Sequence, residues 1–112
     1  MSFSNFAFKS YTFQSVGTSL QTLYTVPSST TAIIIGCDIA NTTINLVNAT
    51  LAITKSGGAA TNLIKNGPIM SGGAMIPIGG AAKLVLQSSD VLTLLSDTAS
   101  SLDCTISIME IS

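Results

Sequence analysis

One stretch constrains the fold of this chain more than any other: Thr31–Asn41, TAIIIGCDIAN, which contains three consecutive isoleucines. Its β-branched residues favour an extended strand over a helix, and its short length agrees with that choice. Pro27 precedes the run and Asn-Thr-Thr ends it, and both are typical of turns. So apolar a run predicts a strand covered on both faces, and the rest of the chain must supply the cover.

The remainder of the sequence consists of short alternating segments separated by loops rich in Ser, Gly and Asn. We predict strands at 8–15, 20–26, 50–55, 61–65, 91–96 and 102–111, and brief strands or corner crossings at 68–70, 75–78 and 83–86. The segment 41–48 is either a loop or a short strand. Asn66-Gly67 predicts a tight turn, and the loop 87–90 predicts a hairpin between its two flanking strands.

These segments predict an all-β chain with a single-domain antiparallel β-sandwich, jelly-roll-like, of about eight short strands. A length of 112 residues suits one domain with one core. We expect residues 1–9 to form an N-terminal arm and residues 10–112 to form the sandwich. The arm contains Phe3 and Phe6, and it either pairs as an edge strand or reaches a neighbouring subunit.

The period-two pattern of a strand predicts which side chains of the central run share a face. It assigns one set to the core between the sheets: Ile33, Ile35, Cys37 and Ile39. Ile34 and Gly36 fall on the opposite face. If another subunit covers that face, an Ile34→Asp substitution should dissociate the oligomer and leave the fold partly intact.

The two cysteines both fall on predicted core faces, Cys37 in the central strand and Cys104 in the last one. In a reducing cytoplasm we expect two free buried thiols. A disulfide between facing strands remains an alternative, because sequence cannot place the two Cα atoms.

Charge is unusually scarce, since charged residues make up 8% of the chain against about 25% in an average domain. We therefore expect much of the surface to lie in permanent contacts with other chains. A monomer with a Ser/Thr-rich exterior is the alternative. The four lysines are widely scattered, which argues against binding nucleic acid or an anionic membrane.

No catalytic, cofactor or metal site is predicted. The chain has no His to activate a Ser or Cys nucleophile, and its glycine pairs lack the Lys-Ser/Thr of a phosphate loop. Asp90, Asp97 and Asp103 fit solvated turn residues better than paired acid–base catalysts. The N-terminus lacks the features of a secretory signal, and no window is long enough to span a membrane.

Three stretches together are similar to a known family: YTVPSSTTAIIIGCDIANTT, then IKNGPIMSGGA followed by VLQSSDVLTLLS, and the closing SSLDCTISIMEIS. From about Tyr24 onward the chain resembles small virion structural proteins of tailed bacteriophages, notably those of marine hosts. In such proteins the second turn is often Gly-Asp, whereas here it is Ser89-Asp90.

The resemblance implies a non-enzymatic capsid decoration or cement protein. Its expected partners are copies of itself, as a trimer, and the major capsid protein or other virion proteins. Its expected place is the capsid surface of a virion assembled in the host cytoplasm. Phe3, Phe6 and Ile34 are the candidate subunit or capsid contacts.

An alternative is a tail, baseplate or head-fibre component that contacts the host surface. Sugar recognition at that surface usually relies on exposed aromatic rings. The chain has no Trp, and its only tyrosines are Tyr11 and Tyr24, both in predicted strands. This shortage counts against glycan binding.

Overall fold

A computed structural model describes residues 5–112, which form nine β-strands and no helix. The strands are β1 Phe6–Val16, β2 Gln21–Thr25, β3 Thr31–Asn41, β4 Val47–Thr54, β5 Ala60–Ile69, β6 Ala74–Ile78, β7 Leu84–Leu86, β8 Val91–Ser96 and β9 Leu102–Ile111. Within this described range, no helix is long and apolar enough to cross a membrane.

The strands form two antiparallel sheets that pack face to face. The five-stranded sheet has the order β1-β9-β3-β6, with β7 also paired to β3, and the four-stranded sheet has the order β2-β8-β4-β5. Both β6 and β7 run antiparallel to β3, so they are two segments of one edge. If β6 and β7 are counted as one edge strand, each sheet has four strands. Their order is that of a jelly roll, which confirms the predicted fold class.

Several strand predictions are confirmed closely, above all the central run, which forms β3 with the predicted bounds. The segment 41–48 is a loop that leads into β4 at Val47. β1 begins at Phe6 and pairs with β9 from its first residue, Phe6 opposite Ile111. Residues 6–9 therefore continue an edge strand without a break at residue 9.

Two turn predictions are wrong. Asn66-Gly67 lies inside β5, where Asn66 has a left-handed backbone (φ 51°) and the register against β4 shifts between Ala49 and Leu51. The same local preference that suits a hairpin turn also suits a β-bulge. The predicted hairpin around 87–90 does not form, because β7 pairs with β3 while β8 pairs with β2 and β4, in the other sheet.

The phase predicted for β3 is correct in its second half and wrong in its first. Cys37 and Ile39 are buried in the core, but Ile33 and Ile35 are only partly buried. Ile34, expected on the opposite face, is fully buried. The reason is a bulge: Ile34 pairs with Ile108 but Gly36 pairs with Ser107, so Ile35 is an extra residue and reverses the alternation.

The core lies between the sheets and is made almost entirely of aliphatic side chains. Cys37 and Cys104 both belong to it, from the adjacent strands β3 and β9, with their sulfur atoms 3.9 Å apart. Both are free thiols. The hydrogen-bonding contact with Cys104, followed by burial, raises the pKa of Cys37 above its ordinary value, so this thiol stays protonated and unreactive.

Candidate functional site

The outer face of the five-stranded sheet carries a row of apolar side chains that run across four strands. Phe8 lies opposite Met109, Met109 opposite Ile33, and Ile33 opposite Val85. Directly opposed residues of an antiparallel pair point to the same face, with Cβ atoms about 5 Å apart. We call these four residues the outer apolar row.

The outer apolar row is open to solvent at its two ends, since Phe8 is 74% exposed and Val85 58% exposed, while Ile33 and Met109 between them are partly buried. A second, parallel row lies beside it, in which Phe6 opposes Ile111, and Phe6 is 60% exposed. With strands about 4.8 Å apart, the outer apolar row spans roughly 14 Å of the sheet. Exposed apolar side chains grouped in this way mark an interaction surface.

Polarity on this face increases along the strands, away from the outer apolar row. Thr12 opposes Thr105, which opposes Asp38, and beyond them Asp103 opposes Ala40. No Lys belongs to these paired outward positions. The apolar half of the face therefore suits an uncharged partner surface, and the acidic half does not.

β1 ends the five-stranded sheet and has one unpaired edge. An exposed edge strand can template pairing with another chain, and an inward-pointing charge is one device that limits such pairing. Lys9 has this position: it opposes the buried Ile108 and forms an ion pair with Glu110 at 2.9 Å. Phe6 and Phe8 point outward, so the outer face of the sheet is more available for contacts than the edge of β1.

Of the three predicted contact residues, the structure places one on this surface. Phe6 lies beside the outer apolar row. Ile34 is in the core and cannot contact another subunit without unfolding, so its assignment is wrong for the bulge-related reason given above. Phe3 lies outside the described residues.

The sequence reasoning missed Phe8, Ile33, Val85 and Met109. Phe8 had a local signal, because it shares the period-two face of Phe6. The other three come from β3, β7 and β9, and only strand pairing brings them together.

A second feature is a cleft between the edge strands of the two sheets, which we call the β1–β2 cleft. It encloses about 320 Å³. Its lining comes from β1, from β2 and the turn after it, and from β9: Lys9, Tyr11, Phe13, Thr22, Leu23, Tyr24, Thr25, Pro27 and Glu110. The two tyrosine rings lie side by side, with centroids 6.1 Å apart and planes tilted by 33°.

Glu110 is the polar centre of the β1–β2 cleft. The Tyr24 hydroxyl donates to one carboxylate oxygen and the Lys9 ammonium to the other. The Tyr24 hydrogen bond lowers the pKa of Glu110, and the bond from Lys9 adds to that effect against the opposing influence of burial. Burial, followed by the bond to Glu110, raises the pKa of Tyr24. At neutral pH the carboxylate is therefore ionised and the phenol protonated.

The described residues contain no group of three or more Cys, Asp, Glu or His side chains close enough to hold a metal ion. Three of the acidic residues have structural roles instead. Asp97 accepts from the Asn48 backbone at 3.0 Å, Asp103 accepts from the Ser15 backbone at 3.0 Å, and Asp90 is part of a buried network.

No protein-family model and no curated protein matches the sequence. Solved structures with a similar fold include two from infectious bursal disease virus. A chain of its T13 particle has a TM-score of 0.55 at 12% identity, over 98% of this chain and 32% of that one. A chain of the Gx strain has a TM-score of 0.56 at 12% identity, over 98% and 34%. This chain thus spans about a third of the viral capsid proteins it matches.

A third similar structure comes from Bacillus endospore appendages, described as disulfide-linked pili. It has a TM-score of 0.55 at 14% identity, over 96% of this chain and 88% of the pilus chain. At these identities the likeness establishes the shared β-sandwich fold.

Proposed function

We propose that this protein is a non-enzymatic virion structural protein of a tailed bacteriophage, a decoration or cement protein that binds the outside of the head as a homotrimer. The observation that carries the proposal is the outer apolar row, which leaves uncharged, exposed side chains on one face of an otherwise well-packed sandwich. Such a face is suited to lasting contacts with other protein chains.

Composition supports the same conclusion independently. A chain with 8% charged residues has few charged side chains to keep its whole surface solvated. Association with other chains removes part of that surface from water. A particle surface offers many equivalent sites. Several weak contacts made together by a trimer give durable binding through effective concentration.

The fold is consistent with this role, because infectious bursal disease virus builds its particle from a protein that contains a similar sandwich. The fold alone does not specify a function, since jelly rolls serve many. The proposal therefore rests on the surface and the composition, together with the sequence resemblance to phage virion proteins.

The test is to locate the protein in the particle. We expect cryo-electron microscopy of intact virions to place it on the head, in a copy number that matches one class of lattice sites. Mass spectrometry of separated heads and tails should find the chain with the heads. A chain found only in tails, or in a few copies per particle, would contradict the proposal.

The pilus match favours a second candidate, a subunit of a tail or head fibre. That match covers nearly all of both chains, as expected for a subunit that repeats along a fibre. The pili are described as disulfide-linked, whereas Cys37 and Cys104 are 1% and 2% exposed here. A fibre of this chain would be held by non-covalent contacts.

Electron microscopy of the purified chain distinguishes the two candidates. Open-ended filaments whose length grows with concentration would favour the fibre subunit. Closed particles of uniform mass would favour the decoration protein, because a ring that closes has a fixed number of subunits. Head-to-tail contacts that do not close produce filaments of unlimited length.

A further inference from the structure

We infer that the β1–β2 cleft is a binding site for a neutral polyhydroxylated ligand, a pyranose ring of a surface glycan. This goes beyond the proposed structural role, and it applies to a decoration protein and to a fibre subunit alike. It also reverses the expectation drawn from the scarcity of aromatic residues. Both tyrosines of the chain line this one cleft.

Size and shape agree with a ligand of this class. A volume of about 320 Å³ lies at the lower end of the range of small-molecule sites, about 300–1,000 Å³. The lining combines apolar rings with a few polar groups, as such sites do. The cleft therefore suits one sugar ring better than an extended peptide.

The Tyr11 ring supplies a partly exposed apolar surface at one side of the cleft. Its side chain is 38% exposed, while Tyr24, packed beside it, is 6% exposed. Tyr24 and its hydrogen bond to Glu110 hold the second ring in place. Tyr11 thus packs beside a ring that is held in place, and its exposed part is available to the C–H groups of a pyranose.

The polar groups at the cleft match hydroxyl groups better than ions. Lys9 and Glu110 have opposite charges and neutralise each other at 2.9 Å, so the lining attracts neither an anion nor a cation strongly. The Lys9 ammonium still has N–H groups to donate. Thr22 and Thr25 are exposed and bring hydroxyls that both donate and accept.

The polar network is formed before any ligand arrives. Glu110 is buried and bonded on both oxygens, one to Tyr24 and one to Lys9. A ligand that binds here meets side chains already held in position, and little ordering is required of them. The cleft opens between the two sheets and the outer apolar row lies on an outer face, so both surfaces can be occupied at once.

Ligand titration followed by amide NMR tests the inference on the full-length chain. The probes are the methyl glycosides of glucose, galactose, mannose and N-acetylglucosamine. We expect at least one of them to give saturable shifts confined to the cleft-lining residues, with a Kd on the order of 1 mM. Tyrosine fluorescence provides a second readout, because the chain has no Trp and both tyrosines line the cleft.

Variants identify the residues responsible. Tyr11→Ala should weaken binding by about tenfold, which corresponds to roughly 1.4 kcal/mol. Thr25→Val, which retains the shape of the side chain, should weaken it by a smaller factor. Phe8→Ala, on the same strand but on the outer face, is the matched control and should bind like the wild type. The amide spectrum of each variant shows whether it is folded.

Three results would overturn the inference. The first is the absence of saturable shifts with all four glycosides up to about 50 mM. The second is binding that a folded Tyr11→Ala variant retains unchanged. The third is a preference for inorganic phosphate over every glycoside at the same cleft, which would identify an anion site instead.

Discussion

At the scale of single residues, Asp90 is the most constrained polar group in the chain. It is 1% exposed and ends the turn at 87–90. Its carboxylate accepts hydrogen bonds from the backbone of Gln87 at 2.8 Å and of Ser56 at 3.3 Å, and from the Lys55 ammonium. These bonds connect two loops at the same end of the sandwich, one of which follows β4 and the other β7.

Replacing Asp90 by Ala should lower the free energy of unfolding by about 3 kcal/mol. The substitution leaves two backbone N–H groups and the Lys55 ammonium without their buried acceptor. Urea denaturation at neutral pH measures the effect. Asp38→Ala, at an exposed position of β3, is the control and should change stability by no more than about 0.5 kcal/mol. An equal effect at both positions would contradict this account.

The same residue predicts a pH dependence. Burial raises the pKa of Asp90, but the bonds from Lys55, Gln87 and Ser56 together lower it below its ordinary 3.8. The unfolded chain therefore binds this proton more readily than the folded one. The stabilisation is complete above the ordinary pKa and is lost as the pH falls through the folded value. Wild type should lose more stability than Asp90→Asn below about pH 4.

At the scale of an element, the bulge in β3 decides what each isoleucine does. Ile33 belongs to the outer apolar row, and Ile34 beside it belongs to the core. Outside a bulge, adjacent residues of a strand face opposite sides. The bulge determines which of the two sides is the core.

Ile34→Ala should lower the free energy of unfolding by about 2–5 kcal/mol, since it leaves a cavity in a packed core. Ile33→Ala removes the same atoms from a partly exposed site and should cost less than about 1.5 kcal/mol. Denaturation of both variants at one fixed protein concentration gives the comparison. We further expect Ile34→Asp to prevent folding, in contrast to the dissociation predicted from the sequence. Equal losses for the two alanine variants would show that the assigned phase is incorrect.

At the scale of the whole molecule, the fold separates the two proposed binding surfaces in space. The outer apolar row lies on the outside of the five-stranded sheet, and the β1–β2 cleft opens between the sheets beside their edge strands β1 and β2. A subunit can associate through the first without closing the second. This separation is what a decorated particle that also contacts glycans would require.

Phe8→Ser should shift the proposed trimer toward a monomer, because it removes the most exposed side chain of the outer apolar row. Sedimentation velocity over a range of concentrations measures the shift. Leu63→Ser is the control, since Leu63 is exposed on β5, in the other sheet. A monomeric wild type, or a Phe8→Ser variant that associates like the wild type, would show that this face is not the interface.

The positions of most strands followed from local sequence. Alternation, β-branched content and turn residues are properties of neighbours along the chain, and they located β3, β8 and β9 with their bounds. Local sequence did not predict the strands with which β7 and β8 pair. Their short loop favours a hairpin locally, but β7 pairs with β3 in the five-stranded sheet and β8 pairs with β4 in the four-stranded sheet.

By itself, the sequence determined that this chain is an all-β sandwich with Thr31–Asn41 at its centre and that only 8% of its residues are charged. Only the tertiary structure decided which isoleucines of that strand are buried, which exposed apolar residues form a row, and that Tyr11 and Tyr24 share a cleft. The reason is physical: propensity and alternation act between neighbours along the chain, whereas a bulge, a sheet partner and a cleft depend on strands distant in sequence.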